Sequence, residues 1–250
     1  MLFDTHCHIY KEYYEDIDFI LNKTKDSGVA CIINNACNLS TCLEVIELSK
    51  KYNNIFYVLG LHPGEDLTEI DKVVELINNN INDKKMIGIG EIGLDYHYGR
   101  ENIELQKDIF RRQLDLAQKY KLPVIIHSRE ATQDTLDILK EYDLKGIIHC
   151  FNGSVEIAKE YIKKGYKIGV NGVVTFSNCK LISVLKELSI DDIVFETDSP
   201  YLTPVPNRGK TNDPSYVNDV VNFVSDNLGV TREELIISSY NSIKDIFDRI

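Results

Sequence analysis

The chain has 250 residues, 43% of them hydrophobic and 27% charged, which supplies one large core and excludes pervasive disorder. Its 28 Lys and Arg against 39 Asp and Glu leave a formal charge of −11, a sign that repels a polyanion unless positive charge is gathered locally. No basic start precedes an apolar run and no uncharged apolar stretch reaches spanning length, so a cytoplasmic protein without a membrane partner is expected.

In chain order, eight short runs rich in Ile and Val, at residues 2–6, 29–34, 55–61, 86–91, 123–127, 146–149, 166–170 and 193–197, alternate with longer amphipathic segments. That alternation is the pattern of a parallel sheet with crossover helices. The length fits one α/β domain, a single (β/α)8 TIM barrel over residues 1–250. Ile103, Phe110, Leu114 and Ala117 fall on one helical stripe. The last helix is predicted to open on a capping box, Thr231 to Glu234, and to turn Leu235, Ile243, Ile246 and Phe247 inward. The irregular stretch 199–214 holds four of the six prolines, and a long loop in a compact barrel is more often functional than accidental. Cys7, Cys31, Cys37, Cys42, Cys150 and Cys179 form no C-x-x-C pair and read as reduced thiols. Nothing resembles a zipper or an exposed apolar stripe, so a monomer is the default.

Barrel enzymes carry their chemistry at the C-terminal ends of the strands. Here those ends deliver His6 and His8 from the first run, Glu91 from the fourth, His127 from the fifth, His149 from the sixth and Asp198 from the eighth. Side chains two apart on a strand point the same way, so His6 and His8 can grip one cation while Cys7 faces away. One buried histidine is usually a satisfied core residue, but six metal-ligand types meeting at one rim are not explained that way. The set also exceeds what one catalytic cation needs, so two divalent metals are expected. Glu91 is the best-placed bridge, Asp198 completes a first site with His6 and His8, and His127 with His149 holds the second. Imidazole with carboxylate suits zinc, manganese or iron, and magnesium prefers oxygen, so the sequence leaves the metal open.

Around this set, His62 in GLHP fits either a substrate contact or a structural loop histidine and is counted as substrate-binding. Asp95 and His97 are read as loop residues and left out of the site. Arg129, Arg208 and Lys210 are read as a phosphate clamp, a local positive cluster that answers the −11 charge. Ser128, Ser154 and Ser199 lack a G-x-S-x-G elbow, and Cys150 should face away from His149, so water activated by metal is the expected nucleophile.

The motifs DTHCH (4–8), GLHP (60–63), GEIGLDY (90–96), LPVIIHSREA (122–131), HCFNGS (149–154), ETDSPYLTP (196–204) and RGKTNDP (208–214) carry a resemblance running almost end to end. The chain resembles the TatD family of metal-dependent deoxyribonucleases, among the amidohydrolase-like metal hydrolases. The resemblance implies that His6, His8, Glu91, His127, His149 and Asp198 are the metal ligands. It also implies 3′-to-5′ exonuclease action on DNA, at single strands or 3′ ends, with magnesium, manganese or zinc. Asn212 joins the substrate-binding set from the RGKTN loop, where Thr211 stands in place of a second arginine common in the family. Asn152 stands where Ser or Thr is common. Asp198 and Glu91 are the expected catalytic residues, with Asp198 accepting the proton of the attacking water. The alternative is an ester or amide hydrolase such as a D-aminoacyl-tRNA deacylase, because the same activated water can attack a carbonyl.

Overall fold

The computed structural model describes residues 1–97, 99 and 101–250. Its strands are β1 (Leu2–Cys7), β2 (Val29–Asn35), β3 (Ile55–Leu59), β4 (Met86–Asp95), β5 (Val124–Arg129), β6 (Gly146–Ile148), β7 (Tyr166–Val170) and β8 (Ile193–Phe195). They follow one another in spatial order, each parallel to the next. Between them run α1 (Ile17–Asp26), α2 (Leu39–Lys51), α3 (Ile70–Asn80), α4 (Ile103–Tyr120), α5 (Thr132–Lys140), α6 (Val155–Lys163) and α7 (Leu181–Leu185), while α8 (Val217–Leu228) and α9 (Arg232–Ile246) follow β8. This is the expected (β/α)8 TIM barrel.

The seam between β8 and β1 is laced around the residues of interest. Asp198 N donates to His6 O at 2.9 Å and His8 N donates to Ser199 O at 2.7 Å. Just below, the buried Asp4 carboxylate accepts from Thr197 N at 2.9 Å and Thr197 Oγ1 at 2.5 Å. Burial pushes the Asp4 carboxyl well above its usual range even though these bonds pull the other way.

The inside of the barrel is apolar at its lower level. Phe3, Ile33, Val58, Ile87, Ile125, Ile147 and Val194 meet there, closed by Ile243, Ile246 and Phe247 of the C-terminal segment. Each such buried side chain contributes roughly 1.5–3 kcal/mol. Arg249 ties that segment down by donating to the carbonyls of Ile81, Asp83 and Met86, at the foot of β4. The capping box at Thr231 and Glu234 forms as predicted, and Phe110, Leu114 and Ala117 of α4 are buried.

Strand alternation then determines what stands one level higher. Two residues beyond Ile125, Ile147 and Val194 come His127, His149 and Glu196, on the same inward face. In β1 the pairing advances three residues, Asp4 to Cys7, while β2 advances two. The extra residue moves the inward face from Phe3 to His6 and His8. In β4 the register shifts by one between Ile89 and Ile92, at Glu91, after which Gly93, Leu94 and Asp95 pair with His127, Ser128 and Arg129.

Among the strand ends that differ from the expected ones, those of β4, β3 and β8 do so for local reasons. β4 runs on to Asp95 because the bulge at Glu91 does not end its pairing with β5. β3 stops at Leu59, since Gly60 lies against Gly90, where a Cβ would come within 2.7 Å of the Gly90 carbonyl carbon. Leu61 is then held by the Gln113 side chain of α4, which accepts from Leu61 N at 2.7 Å and donates to Leu61 O at 3.1 Å. β8 stops at Phe195 because Thr197 N turns to the Asp4 carboxylate.

Candidate metal centre

Six side chains expected from the sequence converge, and Glu91 divides them into two groups. Its Oε2 lies 3.3 Å from His6 Nε2 and 3.6 Å from His8 Nε2. Asp198 Oδ1 completes that group at 3.6 Å from His6 Nε2 and 3.3 Å from His8 Nε2. The two imidazole nitrogens are themselves 3.1 Å apart. On the other side, Glu91 Oε1 lies 2.9 Å from both His127 Nδ1 and His149 Nε2, which are 3.1 Å from each other.

These distances and atom types fit divalent cations. One cation held at about 2.1 Å by a tetrahedral set spaces its donors about 3.4 Å apart, close to what both groups show. Every converging atom is a carboxylate oxygen or an imidazole nitrogen that can offer a lone pair, and the site is buried. Without a positive charge such a cluster leaves facing lone pairs unsatisfied in a dry environment. The residues present therefore fit divalent metal, with His6, His8 and Asp198 on one side of Glu91 and His127 and His149 on the other.

Burial lowers the His8, His127 and His149 rings, but Cys37, Asp95 and Glu91 respectively outweigh it and hold all three above the usual imidazole range, a positive charge that a bound cation would replace. Burial alone would raise the Glu91 carboxyl, but the imidazoles of His149, His6 and His62 and the His127 hydrogen bond outweigh it and hold the group well below the usual carboxylate range. The Asp198 carboxyl is lowered for the same reason, with His8 as its hydrogen-bond partner. His6 is pushed down by burial and by the neighbouring His149, so its ring favours the neutral form a ligand needs.

Behind the converging atoms stands a layer that positions them. His8 Nδ1 lies 3.0 Å from Asn35 O and from Tyr10 Oη, which fixes the ring with Nε2 facing Glu91 and Asp198. His127 Nε2 lies 3.1 Å from Asp95 Oδ2, so Nδ1 is the nitrogen turned to Glu91. His149 Nδ1 faces Glu196 Oε1 at 3.7 Å. That same Oε1 accepts from Cys150 N at 2.6 Å, and Glu196 is fully buried. The Cys37 thiol, from the loop after β2, comes within 3.6 Å of His8 Nδ1 and 3.9 Å of Glu91 Oε2.

Asp95, Glu196 and Cys37 were absent from the sequence-derived set. Asp95 is a correction: it ends β4 as a buried strand residue against His127, where a loop residue was expected. His97 does lie beyond the strand and pairs with Glu130 at 2.6 Å. Glu196 had a signal, since it continues the inward parity of Val194 just past the end of β8 and stands two residues before Asp198. Nothing in the sequence pointed to Cys37.

The expected substrate-binding residues are placed unevenly. His62 belongs with the cluster: Nε2 lies 3.7 Å from Glu91 Oε1 and its ring meets His127 edge-on at 4.4 Å between centroids. Burial and the neighbouring His127 lower it to about 3, so it stays neutral. Arg129 is the exposed last residue of β5, opposite Asp95. Arg208 stacks on the Phe176 ring at 3.9 Å, and Lys210 donates to Asn207 Oδ1 at 2.9 Å, both on the surface. Asn212 is fully buried instead. Its amide donates to Thr197 O at 2.9 Å and to Tyr201 O at 2.5 Å, so it braces the loop that carries Asp198 and does not reach the rim.

A family model described as "TatD related DNase" matches residues 3–248. The chain belongs to the TatD family. The uncharacterized metal-dependent hydrolase YabD of Bacillus subtilis (strain 168) is 37% identical over 252 residues, covering 99% of each chain. YcfH of Escherichia coli (strain K12), another metal-dependent hydrolase, is 34% identical over 242 residues, 94% of this chain and 91% of that one. The crystal structure of YjjV, a TatD homolog from Escherichia coli K12, matches with a TM-score of 0.92 at 29% identity, covering 99% of this chain and 98% of that one. The protein is thus a TatD-type metal-dependent hydrolase, and the buried His and carboxylate cluster is its candidate metal site. Among the described residues, no helix is long and apolar enough to cross a membrane.

Proposed function

We propose that this protein is a 3′-to-5′ deoxyribonuclease acting on single-stranded DNA ends, with two cations held by His6, His8, Glu91, His127, His149 and Asp198. The observation that carries the reading is the division of the Glu91 carboxylate between two donor groups. Paired cations supply a water of lowered pKa and offset charge on a phosphate, the chemistry of a phosphodiesterase. The family's own description, TatD related DNase, points to the same substrate class.

The chain's residues divide the remaining work. Asp198 turns Oδ1 to both imidazoles and offers its other oxygen to the proton of the attacking water. Water adds at phosphorus, the P–O3′ bond breaks, and the departing 3′ oxygen takes up the proton that Asp198 received from the water, which restores the carboxylate. Neutral His62 donates a hydrogen bond to a phosphate oxygen, and Arg129, with Arg208 and Lys210 on the loop after β8, draws the backbone to a protein of charge −11.

The test is degradation of 3′-labelled and 5′-labelled single strands by metal-stripped protein, with magnesium, manganese or zinc added back. Release from the 3′ end that returns with metal and is lost in Glu91→Ala is the expected result. Bound metal without any cleavage would overturn the nuclease reading and favour an ester or amide substrate, such as a D-aminoacyl-tRNA.

A further inference from the structure

Beside the donor cluster, four aromatic rings form a closed circuit. His8 meets Tyr10 at 5.6 Å between centroids, Tyr10 meets Tyr13 at 5.6 Å, Tyr13 meets Tyr201 at 5.7 Å, and Tyr201 returns to His8 at 6.3 Å. The inner members are buried, but Tyr201 is 50% exposed. Its hydroxyl bonds that of Tyr13 at 2.8 Å. Its backbone is fixed at both ends, with N donating to Asp198 O at 2.9 Å and O accepting from the Asn212 amide. A large ring is thus held rigidly against water, three residues from Asp198 and in contact with His8. Core packing does not explain a half-exposed ring pinned in this way. A rigid aromatic surface costs little entropy when something stacks on it.

The charge around this ledge selects what that something is. Glu12, Glu15 and Asp16 lie exposed on the same loop as Tyr13 against a single lysine, Lys11, so the loop is net acidic and disfavours phosphate. The cationic groups Arg129, Arg208 and Lys210 sit on other elements. A nucleobase is neutral and has a π-face, and stacking on tyrosine is independent of net charge. Past the ledge, Tyr13 also walls a solvent-open cleft of about 200 Å³ with Tyr14, Phe19 and Ile20 and with the acidic Glu15, Asp16 and Asp213, so the acidic character of this side continues outward.

We propose that Tyr13 and Tyr201 form the subsite for the base of the 3′-terminal nucleotide, whose phosphate lies at the donor cluster. This rests on the phosphodiesterase reading above and deepens it. A base on the ledge must leave its own stack, so the subsite takes a single-stranded or frayed end and disfavours a paired one. Base recognition without electrostatics also suits a protein of charge −11.

The experiment compares a normal oligonucleotide with one whose 3′-terminal residue is abasic, in wild type, Tyr201→Ala and Tyr201→Phe. The wild-type kcat/KM is expected to favour the base-bearing end by about tenfold or more. Tyr201→Ala should bring that ratio close to one, mostly through KM, while Tyr201→Phe, which keeps the ring, should retain it. Fluorescence of 2-aminopurine at the 3′ end should be quenched on binding metal-stripped wild type and not Tyr201→Ala. Equal cleavage of both oligonucleotides by the wild type, or an unchanged ratio in Tyr201→Ala, overturns the ledge and leaves the nuclease standing. Failure of the metal-loaded wild type to cleave either one removes the nuclease reading and the ledge with it.

Discussion

The two halves of the donor cluster are built differently although they share Glu91. On the Oε2 side the histidines come from β1 and the residue just after it, and among the described residues no carboxylate pairs with their outer nitrogens: His8 Nδ1 faces Asn35 O, the Tyr10 hydroxyl and the Cys37 thiol, and His6 Nδ1 has no hydrogen-bond partner. The negative charge of that half is Asp198 itself, in direct reach of both imidazoles. On the Oε1 side the histidines come from two strands and each is backed by a carboxylate, Asp95 behind His127 and Glu196 behind His149. A carboxylate behind an imidazole fixes its orientation and makes it a stronger donor. One half therefore places its acid where a water can meet it, and the other spends its acids on holding the ligands. Under the proposed function, proton transfer falls to the Asp198 half and anchoring to the Asp95 half.

The sharpest way to break that division is Asp198→Asn. The amide keeps the shape and loses both the charge and the proton acceptor, so turnover should fall by about 10²- to 10⁴-fold. Metal analysis should find the Oε1 group still loaded. Turnover within a fewfold of wild type, measured at saturating metal, would show that proton transfer does not depend on this half.

The same contrast explains what could be read in advance. The six converging donors stand where apolar strands end, a pattern visible in a linear sequence; simple alternation carries His127 and His149 inward two residues above Ile125 and Ile147, while the bulges that turn His6, His8 and Glu91 inward are not visible there. Asp95 was hidden because the GEIG stretch looks like a strand end. Only pairing of Gly93 with His127 and Asp95 with Arg129, a tertiary fact, prolongs β4. Glu196 shares the parity of Asp198 and was legible in principle. Asn212 was grouped with the RGKTN loop through the resemblance, and its burial, created by the Thr197 and Tyr201 carbonyls that accept from its amide, is a tertiary fact the loop sequence does not carry. The barrel itself was legible because each Ile and Val run and each apolar stripe is local.

Asp95→Asn sharpens the anchoring half. Asparagine can still meet His127 Nε2 but brings no charge, so the Oε1 group should lose about 10- to 100-fold in metal affinity, followed by competition with a chromophoric chelator. The Oε2 group should keep its affinity, since Asp95 touches none of its members. A uniform loss from both groups would mean that the halves are coupled through Glu91 and are not separately anchored.

The smallest effect expected on chemistry comes from Asn212→Ala, and it probes how the Asp198 half is supported from behind. Removing the amide leaves the Thr197 and Tyr201 carbonyls without that donor in a buried place, at a cost of about 1–3 kcal/mol. For a chain of this length each kcal/mol lowers the melting temperature by roughly 2–4 °C, which a thermal melt resolves. If the brace serves the position of Asp198, kcat should drop by less than about tenfold with KM little changed, because the loop still closes through Asp198 N to His6 O and His8 N to Ser199 O. A substrate contact would give the reverse, a raised KM with the melting temperature near wild type. The two outcomes separate a residue that holds the loop from one that holds the nucleotide.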